Sequence, residues 1–133
     1  METKTVIFDS NVWIGYFNVE DTTHSQAVAC FSKYSVRTVV LTEYVLLEVA
    51  TVLKQKIGHA ATNKIIAVLL QTENIQLLPS ADYFSPTLTM FLGHKDKHLS
   101  FVDMSLVVLA SDFEVITFDK KLASALKRGG VAL

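Results

Sequence analysis

Four acidic side chains stand where an acid is out of place: Asp9 in VIFDSNVWI, Glu48 in YVLLEVATVL, Asp103 in LSFVDMSLVVLA and Asp119 in VITFDKKL. Burying a charge is costly unless it is paired or bound to a cation. The flanking segments offer no obvious Lys or Arg partner for most of the four. Gathered at one spot, the acids would repel one another and raise their own pKa values. A hard divalent cation, Mg2+ or Mn2+, removes that conflict, because carboxylate oxygens are its preferred ligands. The chemistry that follows is metal-assisted attack on an anionic substrate.

Each acid also has a plainer reading. Asp9 and Asp119 each follow an apolar run and precede a helical one, the position of an N-cap worth about 1 kcal/mol. Ser100-x-x-Asp103 has the spacing of a capping box. Glu48 can cap nothing, because it lies in mid-helix. Tyr44, Glu48, Thr51 and Gln55 form one narrow polar stripe on an apolar helix, facing either solvent or a polar cleft. Asp103 is the hardest to place on a surface, since its same-face followers Val107 and Ala110 are apolar. Glu43 reads as a first-turn acid favoured by the helix dipole and is left outside the site.

The elements that would position these residues alternate. TVIF (5–8), TVVL (38–41), IQLL (75–78) and EVITF (114–118) read as short strands. Helices are expected through NVWIGYF, from about His24 to Tyr34, from a Thr42 cap to about Lys56 with closure at Gly58, and from Ala60 to Gln71. Three more are expected over Asp82 to Leu92 with Pro86 marking a break or late start, Ser100 to Ser111, and Lys120 to Lys127. On the second helix Ala27, Val28, Phe31 and Cys30 make the inner side. Gly129-Gly130 is expected as a turn, and VAL (131–133) as an edge strand. Strands alternating with helices imply a mostly parallel sheet covered on both faces, an α/β fold with its site at the carboxyl ends of the strands. Asp9 and Asp119 sit at two such ends.

Composition fits one domain, residues 1–133, with 50% hydrophobic and 19% charged residues. A lone cysteine, Cys30, suits a reducing compartment. No apolar run approaches the ~18 residues a membrane helix needs, and the start METKTVIFDS has no signal-peptide pattern. The expectation is a soluble, cytoplasmic protein with no membrane association. Net charge is −1, so no global basic field announces nucleic acid. Lys95, Lys97, Lys120, Lys121, Lys127 and Arg128 nevertheless fall in the last third, with His94 and His98 nearby. They are either solvated charges or, for Lys95, Lys97, Lys120 and Lys121 above all, a rim that contacts phosphates. Trp13 and Phe17 are expected in the core. The four histidines show no zinc spacing, and no P-loop, GxGxxG or nucleophile elbow is present.

In order and spacing, FDSNVWI, LLEVATVL, SFVDMSLVVLA and ITFDKKL resemble the motifs of PIN-domain ribonucleases, over nearly the whole chain from Val6 to about Leu122. The likeness is greatest to the VapC-type toxins of bacterial and archaeal toxin–antitoxin pairs. The resemblance implies a three-layer α/β/α sandwich and a metal-dependent endoribonuclease. It makes Asp9, Glu48, Asp103 and Asp119 the catalytic quartet, with Asp9, Asp103 and Asp119 holding Mg2+ or Mn2+. Asn11 and Thr117 then match polar residues that orient the carboxylates. It further implies an RNA substrate, a small antitoxin partner and a homodimer. Some family members carry a further acid after the last Asp, where this chain has Lys120 and Lys121. A haloacid-dehalogenase phosphatase, which VIFDSN suggests at first sight, needs a second acid at position 11, which is Asn. Two other readings stay within the resemblance: a housekeeping PIN nuclease of RNA maturation, and an inactive PIN RNA-binding module.

Overall fold

The computed structural model describes residues 4–95 and 98–128. Among these, four parallel strands form one sheet: β1 (Val6–Phe8), β2 (Val39–Thr42), β3 (Ile75–Leu78) and β4 (Glu114–Ile116), in the order β3-β2-β1-β4. The helices are α1 (Ser10–Phe17), α2 (His24–Lys33), α3 (Glu43–Ile57), α4 (His59–Gln71), α5 (Phe84–Gly93), α6 (Phe101–Leu109) and α7 (Lys120–Lys127). α1 packs on α2 and α3, and α3 on α4; α5 packs on α6, and α6 on α7. The sheet is the middle layer of an α/β/α sandwich, as expected.

The two central strands are buried along their whole length, which is why VIF and VVL are continuous apolar runs rather than alternating ones. The edge strands β3 and β4 keep partial exposure. β1 pairs Val6 with Val39 on one side and with Glu114 on the other. The ladder continues one residue past β1, where the Asp9 amide donates to the Ile116 carbonyl at 2.9 Å. Asp9 is thereby fixed by the sheet itself. Behind it, Phe8, Trp13, Phe31 and Tyr34 form an aromatic cluster with ring centroids 5.0–5.9 Å apart. The Trp13 indole donates to the Phe8 carbonyl at 3.1 Å, pinning α1 to the end of β1.

Several boundaries move. β4 ends at Ile116, not Phe118, because the Thr117 hydroxyl and the Phe118 amide turn to bonds with Asp9 and Asn11. The expected 82–92 helix is a short 3-10 turn (Ser80–Asp82) followed by α5, which starts late enough for Pro86 to lie in its first turn, where a missing N–H is harmless. α4 begins at His59 and α6 closes at Leu109. Val28 is 43% exposed and is not an inner residue, since the buried face of α2 runs through Ala27 and then to Phe31 and Tyr34. Trp13 is fully buried, and Phe17 packs against the core. Residues 129–133, expected as a turn and an edge strand, lie outside the described residues.

α1 and α2 approach most closely at Gly15. A Cβ there would lie 2.6 Å from the Thr23 hydroxyl and 3.3 Å from the Ala27 Cβ. The Thr23 hydroxyl cannot yield freely, because it donates to Asp21 at 2.7 Å. Gly15→Ala is therefore expected to destabilise the chain by about 1–3 kcal/mol through overpacking, read from urea unfolding. An unchanged midpoint would mean that the α1–α2 contact is slack.

Candidate active site

Asp9 caps α1 from the end of the central strand and is 4% exposed. One carboxylate oxygen accepts from the Ser10 amide at 2.7 Å. The other accepts from the Thr117 hydroxyl at 2.7 Å and the Asn11 amide at 3.3 Å. Asn11 also donates to the Thr117 hydroxyl oxygen (3.2 Å), and its own carbonyl accepts from the Phe118 amide (3.2 Å). The Thr117 oxygen accepts in turn from the Asp119 amide at 3.0 Å. One small network thus joins the ends of β1 and β4 and fixes Asp9 relative to Asp119.

Asp119 caps α7 through one oxygen, which accepts from the amides of Lys121 and Leu122 at 2.8 and 3.2 Å. Asp103 and Ser100 form the full capping box expected from their spacing, with bonds of 2.9 and 3.0 Å. Capping uses one carboxylate oxygen, and each acid has a second, so the cap and the site are compatible readings. Glu48 is half-buried on α3, close enough to the Ser10 hydroxyl for that group to lower its carboxyl pKa against the effect of burial. Its stripe divides: Tyr44 packs against Tyr83 and Phe101, whereas Thr51 and Gln55 are exposed.

The four acids lie in one another's field. Burial raises the Asp9 pKa, the Thr117 and Ser10 bonds oppose it, and the charges of Asp103 and Asp119 raise it further. Glu48 is raised by burial, against the Ser10 bond, and by the charges of Asp9 and Asp103. Asp103 is raised by burial, against its Ser100 bonds, and by Asp119. The charged groups acting on Glu48 and Asp103 are acids alone. Four acids drawn from four separate elements share one end of the sheet, and among the described residues no Lys or Arg forms an ion pair with any of them. Among the described residues, no three His, Cys, Asp or Glu side chains close on a common point as a finished ligand set.

The basic residues divide. Lys120 and Lys121 are exposed on the first turn of α7, immediately after Asp119. Lys95 is exposed in the loop after α5, and among the described residues no bond ties it to the acids. Lys97 lies outside the described residues. Two contacts were missed in the sequence. Ser10 links Asp9 to Glu48, and a hydroxyl next to a strand-end acid was the available signal. His98 meets the Lys121 ammonium at 3.1 Å, a pairing across 23 positions that no local pattern announces. Glu43, set aside as a dipole acid, accepts from the Ser80 amide and hydroxyl at 3.0 and 2.6 Å and anchors the loop after β3.

Comparison with known proteins agrees with this geometry. The PIN domain family model matches residues 6–127, and the chain belongs to that family. Among solved structures the chain is similar to VapC20 of Mycobacterium tuberculosis, a sarcin–ricin loop cleaving toxin, with a TM-score of 0.78 and 23% identity. The match covers 91% of this chain and 95% of that one. At that identity the likeness concerns the fold. Comparison with curated proteins gives no significant match.

Burial and like charge leave Glu48 more tightly protonated in the folded chain than in the unfolded one. Its contribution to stability is thus present below the ordinary carboxylate range and lost as pH rises through its raised pKa. In EDTA at pH 7, Glu48→Gln is expected to melt at a higher temperature than the parent, with the gap closing toward pH 4. A variant that melts no higher at pH 7 would show that Glu48 carries no electrostatic strain.

Proposed function

We propose that the chain is a divalent-metal-dependent endoribonuclease, acting in the cytoplasm as the toxin of a VapBC-type toxin–antitoxin pair. The observation that carries the chemistry is that Asp9, Glu48, Asp103 and Asp119, from four separate elements, lie close enough for their charges to raise one another's carboxyl pKa values at Asp9, Glu48 and Asp103. PIN family membership supports hydrolysis of RNA, and the likeness to a toxin that cleaves an rRNA loop supports the biological setting.

The donor set suits a hard cation: it offers carboxylate oxygens and neither the thiolates nor the imidazoles of a zinc site. Asp9, Asp103 and Asp119 would hold Mg2+ or Mn2+. Bound there, such an ion screens the phosphate charge and lowers the pKa of water. Glu48, whose pKa burial lifts, orients the attacking water and accepts its proton. The water oxygen bonds to phosphorus, the bond from phosphorus to the 3′ oxygen breaks, and that oxygen leaves with a proton from solvent. The products carry a 5′-phosphate and a 3′-hydroxyl. Asn11 and Thr117 act through Asp9, holding its carboxylate in one orientation so that it need not reorganise as charge develops.

The test is cleavage of a structured RNA pool by the purified chain in Mg2+, in Mn2+ and in EDTA. Fragments are expected with either metal and none with EDTA. Asp103→Asn should lose about 10²-fold or more in rate. Thr117→Val should lose about 10–100-fold in rate or metal affinity. Asp103→Asn cutting at the parental rate would remove that acid from the mechanism. Folded protein inert in both metals would favour the PIN RNA-binding module instead.

The same proposal includes a homodimer and a short antitoxin segment near the acidic cleft. α5 exposes Phe84, Leu88, Phe91 and Leu92 at helical spacing, and the edge strand exposes Leu77. This is the face assigned to the second copy. Leu92, 74% exposed, contributes nothing to the core, so Leu92→Lys should leave the melting temperature unchanged and shift the sedimentation equilibrium to monomer. A variant that stays dimeric would place the interface elsewhere.

A further inference from the structure

We infer that a basic pocket on α7, the helix capped by Asp119, binds a backbone phosphate of the RNA next to the one being cut. This rests on the endoribonuclease reading above. The pocket, about 320 Å³, is lined by His98, Lys120, Lys121, Ser124 and Arg128. Its side chains come from the loop before α6 and from successive turns of α7, the helix that Asp119 caps.

The chemistry of the lining is one-sided. Lysine and arginine bring hydrogen-bond donors and positive charge, and Ser124 brings a hydroxyl. An ammonium has no acceptor, so in the 3.1 Å contact Lys121 donates to Nδ1 of His98. The contact also ties the loop before α6 to α7, so the pocket is held from two elements rather than by side chains of one. Asp119, the nearest acid in sequence, commits an oxygen to the amides of Lys121 and Leu122.

What suits such a pocket is a compact anion with several acceptor oxygens, and its position selects the source. Its α7 lining begins at the residue after Asp119, on a chain whose net charge is −1. A polyanion reaching the acids must cross a repulsive rim unless cations stand next to it. In RNA each phosphate is followed by another one nucleotide away, so a strand seated for cleavage carries an anion past the acids in either direction. Lys120 and Lys121 begin one residue beyond Asp119, so the pocket lies where such an anion needs a partner. An acidic peptide offers carboxylates without that fixed relation to a scissile phosphate.

The experiment measures binding of a fluorescent mixed-sequence single-stranded RNA 12-mer to the full chain in EDTA, over a range of salt concentrations. The parent is compared with Lys121→Gln/Arg128→Gln. A control, Lys33→Gln/Lys64→Gln, removes two exposed charges from α2 and α4. All three are checked for equal melting temperature, and metal-dependent cleavage of the same RNA is followed in parallel. If the pocket holds phosphate, the pocket variant binds several-fold more weakly, and its log–log salt slope falls by up to about 1.4, the share of two charges on a single strand. The control keeps the parental slope. Inorganic phosphate at millimolar concentration should compete with RNA for the parent more strongly than for the pocket variant.

A pocket variant that keeps the parental affinity and slope overturns the inference, even if RNA is cut normally. So does a polyglutamate competitor that displaces RNA from the parent better than phosphate does and loses that advantage in the pocket variant. That outcome would assign the pocket to an acidic peptide. Weakened binding in the pocket variant, with no cleavage by the parent in any metal, would support the pocket while removing the hydrolytic reading on which it was built.

Discussion

A carboxylate sealed at the end of the central strand is the constraint around which the rest of the site is arranged. Asp9 cannot move, because its amide continues the β1–β4 ladder and its carboxylate closes the first turn of α1. It is almost fully buried, so every neighbour must either donate to it or add to its cost. Ser10, Asn11 and Thr117 donate. Asp103, Asp119 and Glu48 do the opposite, and they approach from α6, from the start of α7 and from mid-α3. A fold selected for stability alone would place a lysine there or remove an acid. A cation bound among them, as proposed above, would offset that cost.

The sandwich makes this arrangement geometrically inexpensive. Parallel strands all end on the same side, so β1 and β4 deliver Asp9 and Asp119 to one edge without special loops. Helix starts gather at that edge too, which explains why three of the four acids are also caps. Capping holds Asp9, Asp103 and Asp119 by backbone amides that are already fixed by their helices. The caps thus give these carboxylates fixed positions at helix ends that would want such a residue anyway. Glu48 alone has no cap, and its only described side-chain partner is the Ser10 hydroxyl. It is the acid with the most freedom, a property that suits a group handling a proton better than one holding an ion.

This double use also explains what the sequence could and could not reveal. Strand ends and caps are local features, so Asp9, Asp103 and Asp119 were legible from apolar runs followed by helical spacing. The central strands were legible for the same reason, because burial on both faces leaves a continuous apolar signature. Failures came where a residue exchanged a local bond for a distant one. EVITF has the β-propensity to continue through Phe118, yet Thr117 leaves the ladder to bond a carboxylate 108 positions away. Val28 is apolar but falls off the face that Ala27 and Phe31 define. Glu43 read as a generic first-turn acid because its partner, Ser80, lies beyond an entire crossover. The pairing of Lys121 with His98 likewise depends on how α7 lies against the loop before α6.

A net charge near zero conceals how unevenly the charge is laid out. Acids concentrate at the strand ends, cations follow on α7, and the two nearly cancel at a distance. Beyond a Debye length of about 8 Å at physiological salt, such a surface exerts little pull on a polyanion. Long-range steering would therefore contribute little to how the chain finds RNA, in contrast to strongly basic binders. On the proposed reading, discrimination would come after encounter, from whether a strand can lay one phosphate on the acids and its neighbour on the cations at once. That condition depends on backbone shape rather than base sequence, and unpaired or sharply turned segments meet it more readily than a regular duplex. The near-neutral composition, which at first reads as an argument against nucleic acid, is what a shape-selective nuclease would require.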